Sequence, residues 1–252
     1  MLYVMILNTP EPRSGLAAPG GGTRAGRDLS SVLARVPVAP TLASRMHEEI
    51  EAAIIDGALE PGQRLHADDL ARHYGVSRIP VREAFSSLDQ AGWVEIRPRY
   101  GVHVRSRDRT ELRELFEFRA DVEGSVARWA AERRTESDLT ALEQSVRKSL
   151  QMRADAPADQ ILTATNAFRD GLRRAAHNSV AASASATLEK RARFYFSTVV
   201  TQLGSEWLHV HERTLELIRI QDAETAASVA AQHIMATGRA VHALLFDENE
   251  PG

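Results

Sequence analysis

A serine and two arginines lie where a helix could present them to DNA. Ser77 directly precedes a helical pattern from Arg78 to Ala91, and Arg82 follows Arg78 by four residues, so both arginines share one helix face. Arginine can bond guanine O6 and N7 with two hydrogen bonds, and a helix N-terminus with a serine hydroxyl suits a phosphate. The spacing therefore predicts a DNA-contacting helix that Ser77 caps.

Further arginines lie on two short alternating runs that follow this helix. The runs are Trp93 to Arg97 and Val102 to Arg105, and the turn residues 98–101 join them, which is typical of a β-hairpin. Four arginines alternate along it: Arg97, Arg99, Arg105 and Arg107. Gly101 lets the backbone approach a ligand closely. We expect Arg99 and Gly101 to contact DNA as part of a wing.

A second set of polar residues lies on apolar helix faces. Arg119 falls among apolar neighbours, and Glu123 lies one turn later. His211 and His233 are aligned with apolar residues of two later helices. A single histidine in this position is usually a hydrogen-bonded core residue. Two histidines and an arginine on separate helices of one bundle favour a pocket, because burying an unpaired charge is costly.

The helical pattern predicts the elements that position these residues. Three helices precede the hairpin, near residues 41–57, 67–74 and 78–91. With the hairpin, they form a winged helix-turn-helix arrangement. From residue 110 to 246 the apolar residues recur at helical spacing and no strand is evident. The predicted fold is mainly α, with a small β wing near the N-terminus and a helical bundle behind it.

Composition excludes several classes of protein. The 252 residues contain no cysteine, which excludes disulfides and cysteine-ligated metals. No run of about 18 apolar residues occurs, so no membrane span is expected. Residues 1–40 are rich in proline and glycine, and we interpret them as a disordered tail. The net charge of −3 is unusual for a nucleic-acid binder, but residues 77–107 hold six arginines against three acidic residues, and binding depends on the face presented.

The N-terminal motifs resemble those of a known family. Residues 59–65 read LEPGQRL, residues 69–71 read DLA, and residues 75–84 read GVSRIPVREA. This pattern resembles the DNA-binding domain of GntR-family bacterial transcription regulators over residues 41–107. The resemblance implies that Ser77, Arg78 and Arg82 contact the operator and that Gly101 belongs to the wing tip. Two departures stand out. Ile79 replaces a commoner threonine, and Asp68 stands where some members place a DNA-contacting arginine.

The helical half resembles the effector domain of the FadR subfamily, called the FCD domain. The resemblance rests on residues 115–119 (LFEFR), Glu123, residues 130–135 (AAERRT), and motifs around Phe168, His211 and His233. It implies a six- or seven-helix antiparallel bundle with a central pocket, over residues 108–248. In many members that pocket holds a divalent metal, bound by an aspartate and a histidine four apart and by two later histidines.

The metal ligands of the family are only half present. His211 and His233 match the later pair, whereas Thr165 and Arg169 occupy the positions of the first pair. Arginine has no lone pair for a metal at neutral pH, and two histidines alone make a weak site. We therefore expect no metal and no other cofactor. Arg169 would instead bind the carboxylate of a small organic acid, together with Arg119, His211 and His233. The alternative is that Arg169 faces solvent or pairs with a nearby carboxylate.

The function that these features predict is DNA-binding transcription regulation, most readily as a repressor. A homodimer would bind a palindromic operator, and a small carboxylate effector would release it. We expect a bacterial, cytoplasmic, nucleoid-associated protein without catalytic residues. One alternative is a DNA-binding protein with a vestigial pocket. A metal-dependent hydrolase is a weaker alternative, since no complete ligand set or nucleophile–base pair is evident.

Overall fold

The computed structural model describes residues 41–152, 156–204 and 206–247. These residues belong to one compact unit. The predicted disordered tail at residues 1–40 lies outside the described residues, as does the end of the predicted bundle at residue 248. Within the described part of the chain, no helix is long and apolar enough to cross a membrane.

The N-terminal half forms the predicted winged helix-turn-helix. Its elements are α1 (Leu42–Ile55), β1 (Arg64–Leu65), α2 (Ala67–Tyr74), α3 (Arg78–Gln90), β2 (Val94–Arg97) and β3 (Gly101–Val104). Thr41 caps α1 through its side chain, and Gly75 ends α2 in the left-handed region with a φ of 66°. Buried side chains of α1 and α3 belong to one core. This packing fixes the orientation of α3, which is the second helix of the helix-turn-helix.

The wing is a three-stranded sheet in the order β1-β3-β2. Both pairings are antiparallel, with Ile96 opposite Val102 in one and Arg64 opposite His103 in the other. The sequence predicted β2 and β3 but not β1. A strand of two residues has no alternation to detect, and it exists only because β3 offers it a free edge.

The C-terminal half contains six long helices among the described residues. They are α4 (Arg109–Arg133), α5 (Glu136–Leu150), α6 (Ala158–Ala175), α7 (Ser179–Phe196), α8 (Glu206–Arg219) and α9 (Ala223–His242). Thr135 and Asp138 form the predicted capping box of α5. The central helices α4 and α9 pack closely, since a Cβ on Gly238 would lie 2.7 Å from the Phe116 side chain. Side chains on several of these helices build a second core.

Two of the four arginines in and after the hairpin, Arg105 and Arg107, contact the helical bundle. Arg105 forms an ion pair with Glu111 and donates to the Gly92 carbonyl at 3.2 Å. Arg107 donates to the Phe194 carbonyl at 2.8 Å. Neither arginine was among the residues predicted to contact DNA. They follow β3, where the chain turns back onto the bundle, so they attach the winged half to α7 and α4.

Candidate nucleic-acid interface and buried arginine pocket

The start of α3 is open to a ligand. Ser77 occupies the predicted N-cap position, but its side chain makes no capping hydrogen bond. Ser77, Arg78 and Arg82 are all exposed. The first amide groups of a helix lack intrahelical partners and attract anions. This helix end therefore combines free amide groups, a free hydroxyl and two cations, which is what a phosphate and a guanine edge require.

Arg78 has a partner on the preceding helix. The carboxylate of Asp68 on α2 forms an ion pair with the Arg78 guanidinium. Both side chains are more than half exposed, so the pair is weak in water. Arg82 lies one turn further on and is exposed, and no ion pair with a described residue restrains it. Asp68 therefore restrains one of the two arginines that the sequence predicts to contact DNA.

At the wing, the backbone geometry is unusual at two residues. Arg99 has a φ of 69° and Gly101 a φ of 95°, so the tip turns through the left-handed region that favours glycine. A Cβ on Gly101 would lie 3.2 Å from Nε of Arg64. The exposed Arg64 on β1 is thus a further cation beside the wing tip, and it was missed with its strand. Arg97 bonds Glu95 at 2.7 Å.

The predicted pair in the bundle is deeply buried. The side chain of Arg119 is 0% exposed, and its Nε lies 3.5 Å from Oε1 of Glu123. None of the three guanidinium nitrogens has a hydrogen-bond partner among the described residues. Burial raises the pKa of Glu123, while Arg119 opposes that rise. Buried polar groups almost always have a hydrogen-bond partner, so we expect a ligand, an ion or water beside this guanidinium.

Arg169 is also buried, so it does not face solvent, but the other alternative, a nearby carboxylate, is present in Glu189. Its side chain is 8% exposed, and its Nε lies 4.0 Å from Oε1 of Glu189 on α7. That separation leaves Nη1 of Arg169 and Oε1 of Glu189 without hydrogen bonds in the described structure. The other carboxylate oxygen of Glu189 binds Nη1 of Arg173 at 2.5 Å. Arg169 is therefore near a carboxylate that a second arginine already holds.

A hydroxyl connects the two arginine–glutamate groups. Arg173 donates to Ser185 Oγ at 3.2 Å, and Ser185 donates to Oε1 of Glu123 at 2.9 Å. The network contains three arginines and two glutamates: Arg119, Arg169, Arg173, Glu123 and Glu189. Arg173 also pairs with the more exposed Asp170 at 2.5 Å, so three arginines face three carboxylates, of which only Glu123 and Glu189 are buried.

The two histidines of the pocket are neutral. Burial, followed by the neighbouring His233, lowers the pKa of His211 to about 3. Burial, followed by Arg119, lowers the pKa of His233 to about 4. The His211 ring stacks on Phe168 with centroids 4.1 Å apart, and its Nδ1 has no hydrogen-bond partner among the described residues. Each neutral imidazole can donate one hydrogen bond to an anion.

Arg169 lies between two cavities. The smaller has about 30 Å³ and is lined by Glu123, Arg169, His211 and His233, among others, enough for water. The larger has about 210 Å³, and Arg169 and His233 line it together with Thr165. The structure thus brings together three of the four residues predicted to bind an effector. Arg119 adjoins them through its contact with Glu123.

The sequence did not predict that Glu189, Arg173 and Ser185 belong to this network. Ser185 and Glu189 are four residues apart and so share one face of α7, but only the structure shows that both are buried. A buried carboxylate needs a partner, which here comes from Arg173 on another helix. The alanine- and serine-rich composition of α7 hid that face, because its small residues show little helical periodicity.

The helix α7 also contacts the winged half. On this side Lys190 binds Glu51 at 2.6 Å, and Arg193 binds Asp56 at 2.8 Å, so two cations of α7 reach the last turns of α1. Tyr195 donates to Glu111 at 2.6 Å, next to Arg105. One helix therefore carries both a pocket carboxylate and most of the described polar contacts to the winged half.

Comparison with protein families agrees with this architecture. The family model described as "Bacterial regulatory proteins, gntR family" matches residues 42–104, and the FCD domain model matches residues 114–236. The chain belongs to the GntR family and carries an FCD domain. The first model covers the winged half, and the second covers most of the bundle that contains the buried arginines.

The chain matches a different share of the length of each of two GntR-family relatives. It is 27% identical to the uncharacterized HTH-type transcriptional regulator YdhC of Bacillus subtilis, over 42% of this chain and 47% of that protein. It therefore spans about half the length of that relative. It is 26% identical to the galactonate operon transcriptional repressor of Escherichia coli, over 74% of this chain and 90% of that one. These relatives are named as regulators, and none of them as an enzyme.

A solved structure supports the fold of this GntR-family chain. The E. coli McbR/YncC structure superimposes with a TM-score of 0.67 at 22% identity, covering 82% of this chain and all of that one. At this identity the similarity concerns the fold alone.

The metal site implied by the FCD resemblance does not fit these residues. Of its four ligand positions, Thr165 and Arg169 hold side chains that are poor or impossible metal ligands. The Arg169 guanidinium also lines the space in which a cation would lie beside His233, and it would repel that cation. No group of three or more histidine, cysteine or acidic side chains suited to a metal occurs among the described residues.

Proposed function

We propose that the protein is a DNA-binding transcription regulator whose operator affinity is controlled by a small carboxylate in the FCD domain. The observation that carries the first part is the open start of α3. There Ser77, Arg78 and Arg82 are exposed on a helix end without a side-chain cap. Arg99 and Gly101 of the wing add a second contact, with Arg64 beside them. These contacts suit a major groove and the adjacent backbone.

The buried arginine pocket supports the second part. Arg169 has an unsatisfied nitrogen in the bundle interior, and the carboxylate nearest to it, Glu189, is also held by Arg173. A ligand carboxylate would accept from that nitrogen, and it could also accept from the neutral His233. Arg169 thus takes the role that a metal has in related pockets, and no divalent ion is needed.

The helix α7 supplies the route from pocket to DNA. A ligand carboxylate at Arg169 competes with Glu189, whose helix also holds α1 through Lys190 and Arg193. A shift of α7 would therefore move the winged half. The ligand changes operator affinity only if it binds one of these arrangements better than the other. We propose that it favours the arrangement that releases DNA, as in a repressor.

The active form is proposed to be a homodimer on a palindromic operator. One winged domain offers a single recognition helix, and specific DNA complexes of this kind usually pair two half-sites through a two-fold axis. The FCD half would supply the contact between protomers. Sedimentation at micromolar concentration tests this state, and a monomer on a single half-site would contradict it.

Binding of acids to Arg169 variants tests the pocket. Arg169→Gln removes the guanidinium, and Arg174→Gln on the exposed side of the same helix is the matched control. In a thermal-shift screen of small carboxylates, an acid that binds the native state raises the melting temperature. We expect that rise in the wild type and the control but not in Arg169→Gln. A vestigial pocket predicts no rise with any acid in any variant.

Metal analysis tests the replacement of the metal by Arg169. The protein is purified without chelator, and its divalent ions are measured by mass spectrometry. We expect less than a stoichiometric amount. One tightly held divalent ion per chain would contradict the replacement.

A further inference from the structure

The larger cavity has one polar end. Its polar lining consists of Thr165, Arg169, His233 and Thr237. The hydroxyl of Thr237 already donates to the His233 carbonyl at 2.9 Å. What remains for a ligand is the guanidinium, one imidazole and one threonine hydroxyl, which together match a single carboxylate.

Apart from the indole N–H of Trp207, the side chains in the rest of the lining are apolar. It includes Leu162 of α6, Phe196 of α7, Val200 and Leu203 of the short helical turn after α7, and Trp207 of α8. Ligand hydroxyl groups placed against these side chains would lose water without gaining a partner, which costs free energy for each group. A sugar acid, with a hydroxyl on nearly every carbon, fits this lining poorly.

Charge and size limit the ligand further. Arg169 is the one charged side chain among the described residues that line the cavity, so a second carboxylate would be buried without a cation of its own. The cavity volume of about 210 Å³ is below the ≈ 300 Å³ at which drug-sized sites begin. The cavity therefore favours one negative charge and a small body.

From this cavity, which has one guanidinium end and apolar walls, we infer that the effector is a small monocarboxylate with an aliphatic or aromatic body. The inference rests on the proposed function, because it specifies the acid that Arg169 binds. The carboxylate lies at Arg169 and His233, and the apolar body lies against Phe196, Leu203 and Trp207.

A chain-length series measures the apolar contribution. Acetate, butanoate and hexanoate are titrated into the full-length protein by calorimetry, with hexanamide as the uncharged control. Each buried methylene should tighten binding about fourfold until the cavity is full, and hexanamide should bind far more weakly than hexanoate. A flat series, or equal binding of the amide, would overturn the inference.

A cavity variant checks that the gain arises at this wall. Leu203 is only half-buried, so Leu203→Gln should fold, and Leu203→Met is the conservative companion. We expect Leu203→Gln to weaken hexanoate several-fold more than acetate, and Leu203→Met to change both little. An equal loss for both acids, or none, would contradict an apolar body at Leu203.

Hydroxyl-rich and doubly charged acids separate this inference from the proposed function. Gluconate and succinate are titrated beside hexanoate into the wild type and Arg169→Gln. If gluconate or succinate binds more tightly and needs Arg169, the effector class is wrong but the carboxylate pocket stands. If no acid binds, both the class and the pocket are wrong. Tighter hexanoate binding that needs Arg169 supports both.

Discussion

Arginine serves opposite purposes in the two halves of this molecule. On the winged half, Arg78, Arg82 and Arg99 are exposed. Arg78 forms an ion pair, and its partner Asp68 is itself more than half exposed. In the bundle, Arg119 and Arg169 are almost wholly buried and have unsatisfied nitrogens. Exposed cations attract a polyanion over a distance and are screened by salt. Buried cations act at short range on one anion that fits.

The difference shows why net charge is a poor guide here. The chain has 34 acidic and 31 basic residues, but the surplus that matters is local in both halves. A surface arginine contributes little to folding, whereas a buried one must be paired or the fold loses stability. Substitutions in the two groups should therefore have separable effects on stability, DNA binding and ligand binding.

The largest expected effect is on folding, at Arg119. Arg119→Met leaves the Glu123 carboxyl buried without its cation, and we expect the free energy of unfolding to fall by about 3–5 kcal/mol. Urea denaturation measures it. The control Arg128→Met removes a partner of the exposed Glu224 and should cost under about 1 kcal/mol. Equal losses in the two variants would contradict the distinction between buried and surface arginines.

The next effect is on DNA binding, at Arg82. Arg82→Ala should weaken operator binding by about 1–3 kcal/mol, or roughly five- to 150-fold, with an unchanged melting temperature. Fluorescence anisotropy with a duplex selected from a random-sequence library measures this. Arg113→Ala, at an exposed position on α4, is the control. A loss no larger than that of the control would remove Arg82 from the interface.

A smaller effect concerns the pH dependence of stability. The folded pKa of His233 is about 4, below the ordinary 6.5, so the unfolded chain takes up a proton first. Stability from this group is complete above about pH 6.5 and is lost as the pH falls towards 4, by on the order of 1–2 kcal/mol between pH 7 and pH 5. His233→Gln should lose less stability over this range.

The control for this pH measurement is His209→Gln, because His209 is exposed. Its slope of melting temperature against pH should equal that of the wild type. The raised pKa of Glu123 has the opposite effect, because its contribution to stability is lost as the pH rises through and above the ordinary value. This contribution is present in all three proteins, so we assign the difference between their slopes to His233. Identical slopes in His233→Gln and the wild type would show that His233 is not buried as a neutral group.

The smallest effect is expected at Asp68. Asp68→Asn frees Arg78 from its ion pair and removes a negative charge close to the DNA backbone. Operator affinity should rise several-fold at low salt and less at high salt, because exposed charges are screened. The control is Asp69→Asn, which removes the same charge but alters the neighbouring Asp69–Arg72 surface pair. It separates the release of Arg78 from a general loss of negative charge. Equal gains in both variants would assign the effect to charge alone.

Local sequence signals predicted the scaffold better than the site. The bounds of α2 and the capping box of α5 agreed with the structure because each depends on residues next to each other in the chain. The burial of Arg119 was also predictable, from its apolar helical neighbours. These features need no knowledge of how distant segments pack.

The features that were missed depend on distant partners. Strand β1 exists through its pairing with β3. Arg105 binds a residue of the bundle and Arg107 a carbonyl of α7, although both follow the wing in sequence. Glu189 becomes important only when α7 lies against α6 and brings it to Arg169 and Arg173. Such partners are set by tertiary packing, which neither periodicity nor local charge records.

The most direct test of the account is to release operator DNA with an acid. A labelled operator duplex is bound to the wild type and to Arg169→Gln, and each complex is titrated with hexanoate while anisotropy is recorded at constant ionic strength. We expect the wild-type complex to dissociate and the Arg169→Gln complex to stay bound. An operator affinity that rises with acid would reverse the proposed direction. Equal release from both proteins would contradict a regulatory carboxylate site at Arg169.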